Sequence, residues 1–204
     1  MVEYVKVSLP ALIITCSIVI LVILFWMFYK NATHISSTLD RKLSLEHSVA
    51  ALSTLIGNVA QECKIQQGAA VSSSGLPDTT DGGVITPNTC PQLDALLNSL
   101  EKLRLMDDPQ TYVFIIDQNG NQVVNGGTAS MAKINGSRPG INTLEYVDGN
   151  GKQVVKLLLD MAASGGGYVE YKWPDPVTRK QAKKLTYVKA IPNTRWILGS
   201  GLYL

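Results

Sequence analysis

An uncharged apolar run opens the chain, from Val7 to Tyr29. At a helical rise of about 1.5 Å per residue, a run of this length spans a bilayer core of about 30 Å. Trp26 and Tyr29 stand at one end, where interfacial aromatic side chains are expected. The run is longer than the apolar part of a cleaved signal peptide, and no small-residue cleavage site follows it. The pattern predicts a transmembrane signal anchor over residues 1–30, with a pilin-type N-terminal helix as the alternative.

Helical periodicity continues after the anchor and predicts a long membrane-proximal helix over residues 31–62. Its apolar positions repeat at spacings of four and three, which is a heptad seam; they are Leu45, Val49, Leu52, Ile56 and Val59. The favoured use of this seam is packing on the chain's own core. Ile35 and Leu39, nearer the anchor, are compatible with a homodimer.

Residues 63–90 are rich in Ser, Gly, Thr and Pro and predict a loop. Cys63 and Cys90 flank it, and the third cysteine, Cys16, lies in the apolar run. A cysteine pair that closes one loop suits an oxidising compartment, so we predict a disulfide and an extracytoplasmic domain. Two reduced thiols are the alternative.

The basic residues favour the opposite topology. Lys6 precedes the apolar run, whereas Lys30, Arg41 and Lys42 follow it. The positive-inside rule would therefore place the large domain in the cytoplasm. We favour the extracytoplasmic side on the cysteines, and the two signals conflict.

The remaining segments predict an α+β domain with an antiparallel sheet. Pro91 opens a second amphipathic helix. From Thr111 the pattern changes to strands, with a buried strand at Tyr112–Ile116, a turn, and a second strand from Gln122. A short helix containing Val154 to Leu159 ends at a Gly triplet. Three strands close the chain: Gly167–Trp173, Lys184–Ile191 and Trp196–Leu204.

Composition and charge exclude several classes of function. The 204 residues carry a net charge of +2 and 17% charged side chains, too little charge to indicate a nucleic-acid binder. Both histidines, His34 and His47, lie in the long helix, which leaves the domain without a His-based triad or zinc site. Asp117, Asn119 and Asn121 match the start of a calcium loop, but Thr128 stands where its bidentate carboxylate belongs, so a hairpin turn is favoured. We expect no enzyme activity, cofactor or metal.

Three sequence motifs occur in order in the second half of the chain. The first is Tyr112-Val-Phe-Ile-Ile-Asp-Gln-Asn-Gly and the second is Gly165-Gly-Gly-Tyr-Val-Glu-Tyr-Lys-Trp-Pro. The third runs Lys184-Leu-Thr-Tyr-Val-Lys-Ala-Ile-Pro and then Trp196-Ile-Leu-Gly-Ser-Gly-Leu-Tyr. Together they resemble the motifs of single Cache domains, the second subtype in particular, and the resemblance covers roughly residues 35 to 204. It implies a PAS-like Cache domain over residues 91–204, packed on the long helix, that senses a small ligand outside the cytoplasm, often a short carboxylate. Such domains usually feed chemoreceptors or histidine kinases.

The resemblance also implies candidate ligand-binding residues. They are Tyr112, Phe114, Tyr171, Trp173, Lys184, Tyr187 and Lys189. Strand alternation puts Val169, Tyr171 and Trp173 on one face and Tyr168, Glu170 and Lys172 on the other, without saying which face meets the pocket. Where the family often has a His-Pro pair, this chain has Gln122-Val-Val-Asn-Gly-Gly.

Two functions follow as hypotheses. The first is a membrane-anchored Cache-type sensor, with a single membrane pass, that binds a small organic anion and signals through a partner protein. A partner is expected because no second membrane helix or output domain follows in this chain. The second is a non-catalytic accessory or scaffold subunit of a membrane complex, in which the Cache fold serves for docking.

Overall fold

The computed structural model describes residues 9–74, 90–127 and 141–204, with side chains from residue 20 to 64 in the first range. The chain divides into two compact units, Met1–Leu43 and Ser44–Leu204. The first unit holds the whole predicted anchor, residues 1–30. Residues 1–8 and the side chains of residues 9–19 lie outside the described part. Within the described part, no helix meets the length and hydropathy needed to cross a membrane.

The long N-terminal helix, α1, runs from Leu9 to Ser74. It therefore ends later than the predicted boundary near Glu62, and the first part of the predicted 63–90 loop is helical. Gly68 and the polar residues around it suggested a break, but an interior glycine costs a helix only about 1 kcal/mol. Residues 75–89, the rest of the predicted loop, lie outside the described residues.

The second unit confirms the α+β prediction. A short helix, α2, spans Pro91–Leu100. The strands are β1 (Val113–Asp117), β2 (Gln122–Asn125), β3 (Gly167–Pro174), β4 (Gln181–Ala190) and β5 (Trp196–Tyr203), with α3 (Val154–Ala163) before β3. They form one sheet in the order β2-β1-β5-β4-β3, and every neighbouring pair is antiparallel.

The two faces of this sheet belong to two separate apolar clusters. One face packs with α1 and α2, where Leu45, Val49 and Ile56 of the heptad seam are completely buried. The seam therefore packs on the chain's own core, as predicted. The other face packs against α3 through Val154, Val155 and other apolar side chains.

A disulfide joins α1 to the start of α2, which confirms the predicted pairing. It links Cys63 to Cys90, whose Cα atoms are 5.8 Å apart. Both cysteines are buried in the cluster on the α1 side of the sheet. The bond links two cysteines that are 27 positions apart in sequence and ties α2 to the long helix.

Candidate functional site

A small cavity lies between the sheet and α3. Its volume is about 20 Å³, enough room for about one water molecule. Its lining is apolar and aromatic with two amide side chains, and consists of Tyr112, Phe114, Ile116, Gln122, Asn125, Val154, Val155, Leu158, Tyr171 and Trp173. The structure thus brings four of the seven predicted ligand-binding residues together at one cavity.

The aromatic wall follows from strand alternation in β1 and β3. Tyr112, Phe114 and Ile116 point to the α3 side, whereas Val113 and Ile115 point to the α1 side. In β3 the same alternation places Tyr171 and Trp173 beside the cavity, with ring centroids 5.8 Å apart in an edge-to-face contact. The hydroxyl groups of Tyr171 and Thr186 lie 2.8 Å apart, which fixes the tyrosine ring in place. The face of β3 that carries Tyr171 and Trp173 therefore meets the cavity.

Lys184, also predicted, lies beside this wall on β4. Its side chain is completely buried, at 0% exposure. Its Nζ atom is 3.8 Å from the ring centroid of Tyr112, 5.1 Å from that of Tyr203 and 5.8 Å from that of Phe114. Among the residues described, Nζ has no hydrogen-bond partner. The cavity therefore adjoins an amine that is enclosed by rings and has no acceptor.

The electrostatics of Lys184 favour the neutral amine. Burial lowers the pKa of Lys184 well below its ordinary value of 10.5, and only the charge of Asp175 opposes this. Contact with aromatic faces stabilises a desolvated cation by about 2 kcal/mol. Removing an ion from water costs several kcal/mol even after relaxation. For protonated Lys184 the desolvation cost therefore exceeds the stabilisation by the aromatic rings, unless an anion supplies a partner.

The phenol groups near Lys184 are held in their neutral form. Burial raises the pKa of Tyr112 to about 12, although hydrogen bonds with Tyr203 and Trp173 oppose the shift. Burial likewise raises the pKa of Tyr171 and of Tyr203. The Tyr203 hydroxyl donates to the carbonyl oxygen of Pro174 at 2.8 Å. These phenols add hydrogen-bonding capacity to the site without adding a charge.

Gln122 and Asn125 add a polar patch that the sequence interpretation did not include among the site residues. Both are 5% exposed, and Nδ2 of Asn125 donates to Oε1 of Gln122 at 2.7 Å. The backbone N–H of Gly127 donates to Oδ1 of Asn125 at 2.9 Å, which holds the asparagine in one orientation. A signal for this pair existed, because both residues stand where the resembling family often carries its His-Pro pair.

Two glycines of β5 make room for the site. A Cβ atom on Gly199 would overlap the ring of Phe114. A Cβ atom on Gly201 would lie 2.7 Å from Cε of Lys184 and 2.5 Å from Oγ1 of Thr186. Side chains at these positions would displace the ring and the lysine, so the glycines are a condition for this arrangement.

Tyr187 and Lys189, the other two predicted residues, lie on the opposite face of the sheet from Lys184. Tyr187 belongs to the cluster that packs with α1, where its ring centroid is 5.0 Å from that of Tyr168. Lys189 is two residues further along β4 and opposite Leu198, another member of that cluster. Neither residue lines the cavity.

The carboxylate that suggested a calcium loop serves a turn. Oδ1 of Asp117 accepts hydrogen bonds from the backbone N–H groups of Asn119 and Asn121, at 2.9 and 2.8 Å. Thr128, the position-twelve residue, lies outside the described residues. In the part of the chain with described side chains, no group of three or more His, Cys, Asp or Glu residues could hold a metal ion.

Comparison with known proteins agrees with this architecture. A Cache domain family model, dCache_2, matches residues 25–204. The sensor histidine kinase MctS of Rhizobium johnstonii is 33% identical over 113 residues, which are 55% of this chain and 22% of that protein. The chain thus matches only about a fifth of the length of that relative.

One solved structure has the same fold, and a second is a weaker structural match. One described as "Structural basis for carboxylic acid recognition by a Cache chemosensory domain" aligns with 82% of this chain and 97% of its own, at 22% identity and a TM-score of 0.54. A methyl-accepting chemotaxis protein from Vibrio parahaemolyticus aligns with 73% of this chain and 90% of its own, at 25% identity and a TM-score of 0.48. The single-domain second subtype stays a prediction. Because the family model covers most of its residues, this chain belongs to the Cache domain family.

Proposed function

We propose that this chain is a non-catalytic, membrane-anchored sensor that binds a short organic carboxylate outside the cytoplasm and signals through a partner protein. The observation that carries the proposal is Lys184, a completely buried amine without a hydrogen-bond partner among the described residues, next to an aromatic cavity. Buried polar groups are normally satisfied, and each exception needs an explanation. A bound carboxylate would satisfy this one.

A carboxylate fits the site by charge and by shape. Its oxygens would accept charge-assisted hydrogen bonds from the protonated lysine, which are about twice as strong as bonds between neutral groups. The aromatic and aliphatic lining would cover a short apolar tail. The cavity of about 20 Å³ requires side-chain movement even for two or three carbons, so the smallest acids are favoured. The carboxylic acid recognition named for one structural neighbour is consistent with this class of ligand.

The anchor and the topology rest on two observations. The helix carries ten consecutive apolar side chains from Ile20 to Tyr29, each at least 51% exposed, as expected for a surface that meets lipid. The Cys63–Cys90 disulfide favours an oxidising compartment. Protease treatment of intact cells and of inverted membrane vesicles tests both points. Cleavage of the domain only in the vesicles, or recovery of the chain without membranes, would contradict this topology.

The ligand is tested by a thermal screen of the full chain against short carboxylates, amino acids and amines. A ligand at a hundred times its Kd adds about 2.7 kcal/mol of stability, which shifts the melting temperature by several degrees. We expect the shift with a short carboxylate, its loss in Lys184→Met and Trp173→Ala, and its retention in Lys183→Met. Lys183 is the matched control because its side chain is 62% exposed and pairs with Glu170 at the surface. A flat screen on a well-folded chain would refute the sensor function.

A docking function is the second candidate, and exposed apolar residues on α1 favour it. Ile35, Leu39 and Leu43 are 58%, 63% and 50% exposed and follow one another at helical spacing. As an accessory subunit, the chain would use this face to contact a membrane protein or a second copy. Migration of the detergent-solubilised chain as a lone monomer, with no partner recovered with it, would argue against this function.

A further inference from the structure

We propose that the site takes up a monocarboxylate together with one proton, which Lys184 acquires from solvent as the anion binds. This inference rests on the proposed function and specifies its ligand class and its regulation. Its consequence is that the chain responds to the acid and to pH jointly: the affinity for a given carboxylate rises as the pH falls.

The neutral amine is the favoured form of Lys184 before an anion binds. A protonated Lys184 would bury three N–H donors, and its Nζ has no hydrogen-bond acceptor in the described part of the chain. The ring of Tyr112, at 3.8 Å, offers a π face to the cation but no lone pair along the N–H directions. The neutral amine leaves no net charge without a partner, so it is the form that this enclosure favours.

The titratable groups that face the amine from the neighbouring strands are neutral phenols. β1 and β5 present the phenols of Tyr112 and Tyr203, whose raised pKa values keep them neutral. β3 presents Tyr171, another neutral phenol. Across the cavity, α3 presents only apolar side chains, among them Val154 and Leu158.

Two charged side chains act on these groups, Asp175 on Lys184 and Arg104 on Tyr112. The charge of Asp175, just after β3, favours protonation of Lys184. This carboxylate already accepts hydrogen bonds from the backbone N–H groups of Val177 and Thr178, at 2.7 and 3.1 Å. The guanidinium of Arg104 donates to the carbonyl oxygen of Gly126 at 2.7 Å. Neither charge is a hydrogen-bond partner of Lys184, so the ligand must supply the acceptor.

The neutral amine, one proton from solvent and one carboxylate combine to give an ammonium–carboxylate pair, with no covalent bond formed or broken. The total charge added to the enclosure is zero. A dicarboxylate would bring a second negative charge, and an α-amino acid would bring an ammonium group. We therefore expect a preference for acetate and propionate over succinate and alanine, because one lysine neutralises one charge.

The test is calorimetric titration of the full, detergent-solubilised chain with propionate in phosphate and in Tris buffer at the same pH. The two buffers differ in ionisation enthalpy, so the difference in binding heat gives the number of protons exchanged. We expect uptake of one proton per propionate, and a Kd that rises about tenfold per pH unit between the Lys184 pKa values of the free and bound chain. Lys183→Met should behave like the wild type.

The proton count comes from the wild-type chain and does not depend on the folding of a variant. Binding of propionate without proton uptake and with a Kd independent of pH would overturn the inference and leave the proposed function intact. Succinate binding as tight as propionate would also overturn it. Failure of every acid to bind would refute the proposed function, and this inference with it.

Discussion

The substitution Lys184→Met gives a test of the buried amine that needs no ligand. Methionine keeps an unbranched chain of similar length and removes the titrating group. Lys183→Met is the matched control, because the adjacent lysine lies on the other face of β4 and its Nζ is 3.1 Å from a carboxylate oxygen of Glu170 at the surface. Comparing the two variants separates loss of a buried amine from loss of a lysine.

The sign of the pH effect follows from linkage. The folded-state pKa of Lys184 is depressed, so between that pKa and 10.5 the unfolded chain binds a proton that the folded chain lacks. Low pH then favours unfolding, and the stability of the wild type rises with pH across this window by about 1.4 kcal/mol per unit. Lys184→Met lacks this dependence. For a domain of this size, the difference corresponds to about 3–6 °C in melting temperature per pH unit.

The assay is the melting temperature of the full chain in detergent, measured by tryptophan fluorescence at pH values from 6 to 9.5. We expect Lys184→Met to melt above the wild type at the acid end of the window, because replacing a buried ionisable group by an apolar one is often stabilising. The gap should shrink steadily as the pH rises, while Lys183→Met follows the wild type. Parallel curves for the wild type and Lys184→Met would refute the neutral, desolvated amine.

Two further predictions concern the framework of the site. Replacing Cys63 and Cys90 by Ala should lower the free energy of unfolding by about 3.5 kcal/mol, because the bond spans 27 positions of sequence. Melting experiments with and without dithiothreitol test this. A wild type whose melting temperature does not respond to the reductant would contradict it. Gly201→Ala should lower the free energy of unfolding by about 1–3 kcal/mol through overpacking against Lys184. It should also abolish the ligand-induced shift in melting temperature. Gly149→Ala is the control, because a Cβ atom there would lie 3.9 Å from the nearest atom, on the Lys172 side chain. Equal melting temperatures for the two glycine variants would show that the close approach at Gly201 is unimportant.

Much of the fold could be predicted because burial is periodic along this sequence. The heptad spacing of apolar residues in α1 predicted which face of the helix is buried, and Leu45, Val49 and Ile56 are completely buried. All five strand segments were predicted to within a few residues for the same reason. The end of α1 was not, because a single glycine among polar residues does not determine whether a helix stops or continues.

The site was only partly predictable because its chemistry depends on strand register. Lys183 and Lys184 are adjacent and chemically identical, yet one is an exposed ion-pair partner and the other is completely buried. The difference arises because Lys184 lies opposite Tyr171 on β3 and Tyr203 on β5. Alternation alone left both faces open, so the candidate list that the resemblance implied held Tyr187 and Lys189 together with Lys184.

Gln122 and Asn125 were missed for a different reason. Polar residues at the end of a hairpin strand are usually solvated, and nothing in their spacing shows that both side chains are buried beside a cavity. The available signal is their position where the family often has its His-Pro pair, since two polar residues stand there in this chain.

Equilibrium dialysis with radiolabelled propionate tests the central claim most directly. It measures binding to the wild type, to Lys184→Met and to Lys189→Met. In the wild type, Lys184 and Lys189 lie on opposite faces of the same strand. We predict one propionate per chain for the wild type and Lys189→Met, and none for Lys184→Met. Binding that survives in Lys184→Met and disappears in Lys189→Met would place the ligand on the other face of the sheet and contradict the account.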